Sequence, residues 1–133
     1  ILDIKGMMKF HPKNKAELEK LIKNQEINLG DIDTSAITDM SWLFCESKRE
    51  DFSGIENWDV SSVTDMYMMF SDRDNFNQPL NSWDVSSVTD MSWMFAGCDN
   101  FNQPLNNWDV SSVTDMSGMF YDCKINDENK PKF

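Results

Sequence analysis

A ten-residue block, NWDVSSVTDM, stands at 57–66, returns as SWDVSSVTDM at 82–91 and returns again as NWDVSSVTDM at 107–116. Trp58, Trp83 and Trp108 therefore recur at one constant interval, a period of the length that builds stacked repeats rather than a single central core. The pattern starts earlier than the tryptophans do. Leu29, Ile32 and Thr34 share the spacing of Ile55, Trp58 and Val60, of Leu80, Trp83 and Val85, and of Leu105, Trp108 and Val110.

Each of those sets has the form L-x-x-L-x-L, and alternation around Trp83 sends Leu80, Trp83 and Val85 inward while Ser82, Asp84 and Ser86 face solvent, as a strand requires. The next segment changes period. Ser87 with Asp90 three residues on reads as a helix start, and Met91, Met94, Phe95 and Cys98 follow at i, i+3, i+4 and i+7, which predicts a short helix over about 88–97. Met40, Leu43 and Phe44, then Met66, Met69 and Phe70, then Met116, Met119 and Phe120 repeat that face. Asp39, Asp65, Asp90 and Asp115 fall in the first turn of these predicted helices, where a carboxylate accepts free backbone N–H groups.

Strand and helix in alternation predict parallel strands joined by right-handed crossovers. The expected fold class is α/β: a right-handed leucine-rich-repeat-like solenoid of four rungs, each with one short parallel strand and one short helix. Its segments are a lead-in and capping helix at 1–28, the repeats at 29–123 and a tail at 124–133. Asn14 with Glu17, and Leu18, Leu21 and Ile22 on one face, predict the capping helix at about 14–24. Residues 1–10 read as a short strand or an irregular lead-in. The DNFNQPLN segments at 74–81 and 99–106 place Asn77 and Asn102 at equivalent positions, where an asparagine ladder to neighbouring backbone is expected. The first repeat has SKREDFSGI instead, with the adjacent basic pair Lys48 and Arg49.

WDVSSVTDMSWMF and FNQPLNSWDVSSV closely resemble the 25/26-residue repeat of bacterial surface proteins, the BspA-like leucine-rich-repeat group also common in mycoplasma lipoproteins. The likeness covers about 29–123. It implies a solenoid displayed at the cell surface and engaged in adhesion or partner binding, and it brings no catalytic residues.

Composition narrows the function. A formal charge of -11 argues against nucleic acid, which needs a basic face, and favours a basic protein or a cation. No apolar run nears the roughly 18 residues of a membrane span, and ILDIKGMMKF lacks the apolar core of a signal peptide. The chain opens on Ile1, which leaves room for a removed signal, anchor or tag, while Met7 and Met8 offer an alternative start. A surface or secreted location follows from the resemblance, and a cytoplasmic one from a native chain without a signal. Three cysteines do not make a disulfide framework, and Cys98 and Cys123 read as small buried thiols.

Two columns are candidate sites. Asp33, Asp59, Asp84 and Asp109 follow the inward Trp or Ile and are expected to form an acidic ladder with about 4.8 Å between steps. At that distance in water they repel by under about 1 kcal/mol per pair, so the fold tolerates them without a partner. Among the repeated residues they alone are left without a structural duty. They suit a protein partner or, more poorly, calcium, which takes six to eight oxygens. The second column is Trp42, Met68, Trp93 and Gly118 beside Tyr67, off the Met/Phe face; if exposed, Trp42, Tyr67, Met68 and Trp93 form an anchoring stripe.

No cofactor is called for. His11 is the single histidine, and no phosphate loop, metal-ligand spacing or nucleophile with an adjacent base occurs. The expectation is a non-enzymatic module that binds a macromolecule, with two alternatives: an acidic intracellular protein that masks a basic partner, or a structural piece of a larger surface protein. The thin KINDENKPKF ending also leaves a homodimer through that end open.

Overall fold

In the computed structural model, which describes residues 7–133, the repeats are held together by backbone hydrogen bonds from alternate amides of one repeat to carbonyls of the following one, each one residue before the equivalent position. Met66, Met68, Phe70 and Asp72 donate to the carbonyls of Asp90, Ser92, Met94 and Ala96, and Met91, Trp93, Phe95 and Gly97 donate to those of Asp115, Ser117, Met119 and Tyr121. Successive repeats thus lie against one another in register.

The elements are not those expected. The described residues form one α-helix, α1 (Lys15–Lys23), short 3-10 turns at Leu29–Asp31, Ile55–Asn57 and Asp127–Asn129, and isolated parallel bridges; the rest is irregular chain, and no sheet forms. The α/β leucine-rich-repeat solenoid with a strand and a helix in every rung is therefore incorrect.

The segments expected as helices are strings of turns. Met94, Ala96 and Cys98 donate to the carbonyls three residues back, Met91, Trp93 and Phe95, while the amides between them leave the segment for the next repeat. An α-helix would send every amide to the carbonyl four residues back. What prevents it is left-handed backbone at Trp93 (φ 59°) and Gly97 (φ 74°), matched at Met68 (φ 54°) and Asp72 (φ 62°), which turns alternate N–H groups outward. A turn string and a helix both gather i, i+3, i+4 and i+7 on one side. Met91, Met94, Phe95 and Cys98 are accordingly buried, and the hydrophobic period alone did not separate the two.

The segments expected as strands fail for a complementary reason. Leu80, Trp83 and Val85 point inward and Ser82 and Asp84 outward, but Trp83 N–H closes a turn on Leu80 and Val88 N–H closes another on Val85, so no ladder is available. The indoles take its place. Trp58 Nε1 donates to Leu29 O at 2.8 Å, Trp83 Nε1 to Ile55 O at 3.0 Å and Trp108 Nε1 to Leu80 O at 2.9 Å, each reaching back one repeat. Parallel bridges occur instead at Asp39, Asp65, Asp90 and Asp115, the positions assigned to helix first turns.

The core is a column of rings. Phe44, Phe70, Phe95 and Phe120 stack at centroid distances of 5.6, 5.6 and 5.7 Å, with Phe76 and Phe101 packed beside Phe70 and Phe95 at 4.0 and 4.4 Å. The repeats contribute closely similar apolar sets to one continuous core, with Thr34 in place of valine in the first repeat and Met116 exposed in the last.

Helix α1 closes the first repeat with buried Leu18 and Ile22; Asn14 Oδ1 accepts from Glu17 N–H at 3.0 Å, and Glu17 reaches back to Lys13 N–H at 2.7 Å. Phe10 bridges Ile32 in parallel, and residues 1–6 of the expected lead-in lie outside the described residues. At the far end Asn126 N–H donates to Asn102 Oδ1, as Asn102 N–H donates to Asn77 Oδ1, so an asparagine ladder runs along the return segments into the tail.

Candidate functional site

The acidic column has a structural task. Ser86 N–H and Oγ–H both donate to Asp84 Oδ1, at 3.1 and 2.6 Å, and Ser111 does the same to Asp109 at 3.1 and 2.6 Å. Ser61 N–H and Oγ–H reach Asp59 Oδ1, and Ser35 N–H reaches Asp33 Oδ1 at 3.0 Å, while Asp33 Oδ2 also meets His11 Nδ1 at 3.2 Å. Each is an Asx turn, in which a short carboxylate pins the backbone two residues ahead. The expectation that the Asp after each Trp lacks a structural duty is overturned.

Electrostatics agree. The Ser86 and Ser111 hydroxyls, with the serine amides, hold the Asp84 and Asp109 carboxyls below the usual carboxylate range, and repulsion from Asp109 acts on Asp84 in the opposite sense as the weakest influence. The TDM acids follow the same rule: Asp39, Asp90 and Asp115 accept from Ser41, Ser92 and Ser117 N–H, and Asp65 accepts from Tyr67 N–H. Among the described residues no cluster of three or more His, Cys, Asp or Glu is placed to hold a metal ion, so the calcium reading gains no site.

The aromatic column is at the surface. Trp42 is 48% exposed and Trp93 38%, the level at which a large apolar ring is available to a partner, while Tyr67 and Met68 are half-buried. Ring contacts join Trp42 to Tyr67 at 5.5 Å and Trp93 to Tyr121 at 5.7 Å, both edge to face, so the expected single stripe resolves into two pairs. Tyr121 was missed by sequence reasoning because its equivalent one repeat earlier is Ala96, which gives no aromatic periodicity.

Trp42, Met68 and Trp93 all sit on left-handed backbone, with φ of 64°, 54° and 59°. For a side chain with a Cβ that conformation costs about 1–2 kcal/mol, which glycine avoids. Gly118 occupies the fourth equivalent position at φ 62°, and a Cβ there would come within 2.6 Å of the Trp93 ring, so Trp93 lies flat over it.

A cleft of about 720 Å³ opens beside Trp42, between Glu19, Ile22 and Lys23 of α1 and the Lys48–Arg49 loop. Arg49 itself is buried and structural: it donates to the carbonyls of Ile22, Asn24, Ile27 and Asp51, tying the end of α1 to the first return loop. Arg73 repeats the device one repeat on, donating to Ser47 O and Arg49 O. The sequence marked Lys48 and Arg49 only as a basic pair; nothing in it distinguished a buried staple from a solvated charge.

Cys45, Cys98 and Cys123 are unpaired, and burial, with a smaller contribution from Cys123, pushes Cys98 up to about 12 while its Sγ–H donates to Phe70 O at 3.0 Å.

No helix among the described residues is long and apolar enough to cross a membrane. No curated protein and no solved structure matches the chain. The family described as "Mycoplasma protein of unknown function, DUF285" matches residues 13–133, from the capping helix through the tail. That match supports the mycoplasma side of the resemblance and not the BspA leucine-rich repeat, in keeping with a fold built from turn strings. The repeat, its capping helix and its tail place this chain in the Mycoplasma family DUF285.

Proposed function

We propose that this chain is a non-enzymatic protein-binding module and that its contact surface is the Trp42/Tyr67 and Trp93/Tyr121 pairs with the cleft beside Trp42. The observation that carries this reading is the exposure of two tryptophans on left-handed backbone, where glycine would avoid the conformational cost. Tryptophan and tyrosine are the residues that most often anchor interfaces. The net charge of -11 favours a partner with a basic rim. The Asp33, Asp59, Asp84 and Asp109 column contributes field rather than anchors, because its carboxylates are engaged in Asx turns.

A comparative capture experiment tests the assignment. Partners recovered by the unmodified chain are expected to be lost from a Trp42→Ser/Trp93→Ser variant and retained by Asp84→Asn/Asp109→Asn, with both variants confirmed folded by circular dichroism. Retention by the tryptophan variant refutes the assignment.

A further inference from the structure

Two kinds of carboxylate stand on the repeats. Those of Asp59, Asp84 and Asp109 fold onto the serines two residues ahead. Those of Glu46, Asp72 and Asp122 do not: all three are exposed, and among the described residues none of them meets a hydrogen-bond donor or a cationic side chain. These three share a column, each four residues after Trp42, Met68 and Gly118 in turn, and Gly97 takes the equivalent place after Trp93.

That gap is filled from the neighbouring repeat. Asp72 N–H donates to Ala96 O at 2.7 Å, and a Cβ on Gly97 would come within 2.3 Å of Asp72 Oδ1, so the Asp72 carboxylate covers Gly97 in the string that carries Trp93. Gly97 N–H in turn donates to Tyr121 O at 2.8 Å, and Asp122 follows Tyr121. Two unengaged carboxylates therefore flank the Trp93/Tyr121 pair. The Trp42/Tyr67 pair has Glu46 beside it in the cleft, together with half-buried Glu19, which also lacks a partner among the described residues.

Little positive charge answers these acids. Lys48, Arg49 and Arg73 are the only basic residues between Lys23 and Lys124, and the two arginines are engaged by backbone carbonyls. Lys23 and Lys48 line the Trp42 cleft, but both are exposed, pair with neither acid, and carry their charge on stems long enough to turn to water. From Asp74 to Cys123 there is no basic residue at all.

An exposed indole face attracts a cation through its ring quadrupole, and a carboxylate at its edge adds a charge-assisted hydrogen bond. Arginine uses both at once, because its planar guanidinium stacks on a ring while its N–H groups reach outward in the same plane. We infer that the two ring pairs are seats for cationic side chains, arginine above all, on a basic segment of the protein partner laid along the repeats. This rests on the protein-binding reading and adds to it the chemistry of what is bound. Trp93 and Tyr121 with Asp72 and Asp122 form one seat; Trp42 and Tyr67 with Glu46 form the other. The rings supply the surface, and the carboxylates select the sign of the charge.

The probe is an octa-arginine peptide titrated into the full chain at about 0.15 M salt, where distant charges are screened over roughly 8 Å. The five tryptophans report separately through their indole N–H signals in NMR. Trp42 and Trp93 are expected to shift, and Trp58, Trp83 and Trp108, whose N–H groups are held by Leu29, Ile55 and Leu80, to stay in place. Asp72→Asn/Asp122→Asn should weaken the peptide at Trp93 by about fivefold or more. Asparagine suits the φ of 62° and 55° at these positions, so the backbone is kept. Asp84→Asn/Asp109→Asn removes the same charge from the other column and should change binding by less than about twofold. Equal weakening by the two variants overturns the proposal, because net charge alone would then attract the peptide. A titration that leaves Trp42 and Trp93 unmoved, while partner capture still depends on them, overturns this inference alone. Capture that survives Trp42→Ser/Trp93→Ser is the separate failure of the protein-binding reading and removes the ground on which the seats stand.

Discussion

Replacing Trp83 with phenylalanine tests the claim that indole bonds take the place of a strand ladder. Trp83 is buried, its Nε1 donates to Ile55 O at 3.0 Å, and its ring stacks on Trp108 at 6.5 Å. Ile55 O also accepts from Trp58 N–H at 3.0 Å, so the substitution leaves that carbonyl half-satisfied rather than orphaned. The bond is then worth about 1 kcal/mol, the low end of the range for a buried acceptor. The smaller ring leaves a gap in a continuous stack and adds about 1–2 kcal/mol. Trp83→Phe should therefore destabilise the protein by about 2–3 kcal/mol, a large part of the roughly 5–15 kcal/mol typical of a domain. Urea unfolding followed by circular dichroism measures it, with Trp42→Phe as an exposed control expected to change stability by under about 0.5 kcal/mol. A Trp83→Phe loss as small as the control's would refute the reasoning.

Gly97→Ala should cost about 1–2 kcal/mol, because its φ is 74° and a Cβ would approach Asp72 Oδ1 to 2.3 Å; equal melting of variant and parent would refute the turn-string account. The hydroxyls and amides of Ser86 and Ser111 lower the Asp84 and Asp109 carboxyls in the folded chain, so their stabilisation is present above the ordinary carboxylate range and is lost as pH falls through and below it. Melting temperature should drop on acidification below about pH 4, and Ser86→Ala/Ser111→Ala should flatten that limb; an unchanged acid limb would exclude the Asx turns as its source.

Much of this protein is legible in its sequence, and particular residues show why. A constant repeat period fixes which positions are equivalent, so the inward facing of Leu80, Trp83 and Val85, the buried Met91, Met94, Phe95 and Cys98, and the asparagine ladder all follow from counting. The cap is equally local, since Asn14 and Glu17 carry it between neighbouring positions of one turn. The candidate site was half legible: Trp42 and Trp93 stand out as irregular large residues, but their pairing with Tyr67 and Tyr121 depends on ring orientation across repeats.

Burial thus belongs to the sequence, because hydrophobic spacing reports which side of the chain faces inward whatever the backbone does. Hydrogen-bond partners belong to the tertiary structure. Met91, Trp93, Phe95 and Gly97 lie in a segment with the hydrophobic spacing of a helix, and only the carbonyls of Asp115, Ser117, Met119 and Tyr121, brought alongside by stacking, draw their amides out of it. The same competition gave Asp84 and Asp109 to their serines rather than to a ligand, and among the described residues it left the alternate amides of Met116, Gly118, Phe120 and Asp122 without a carbonyl.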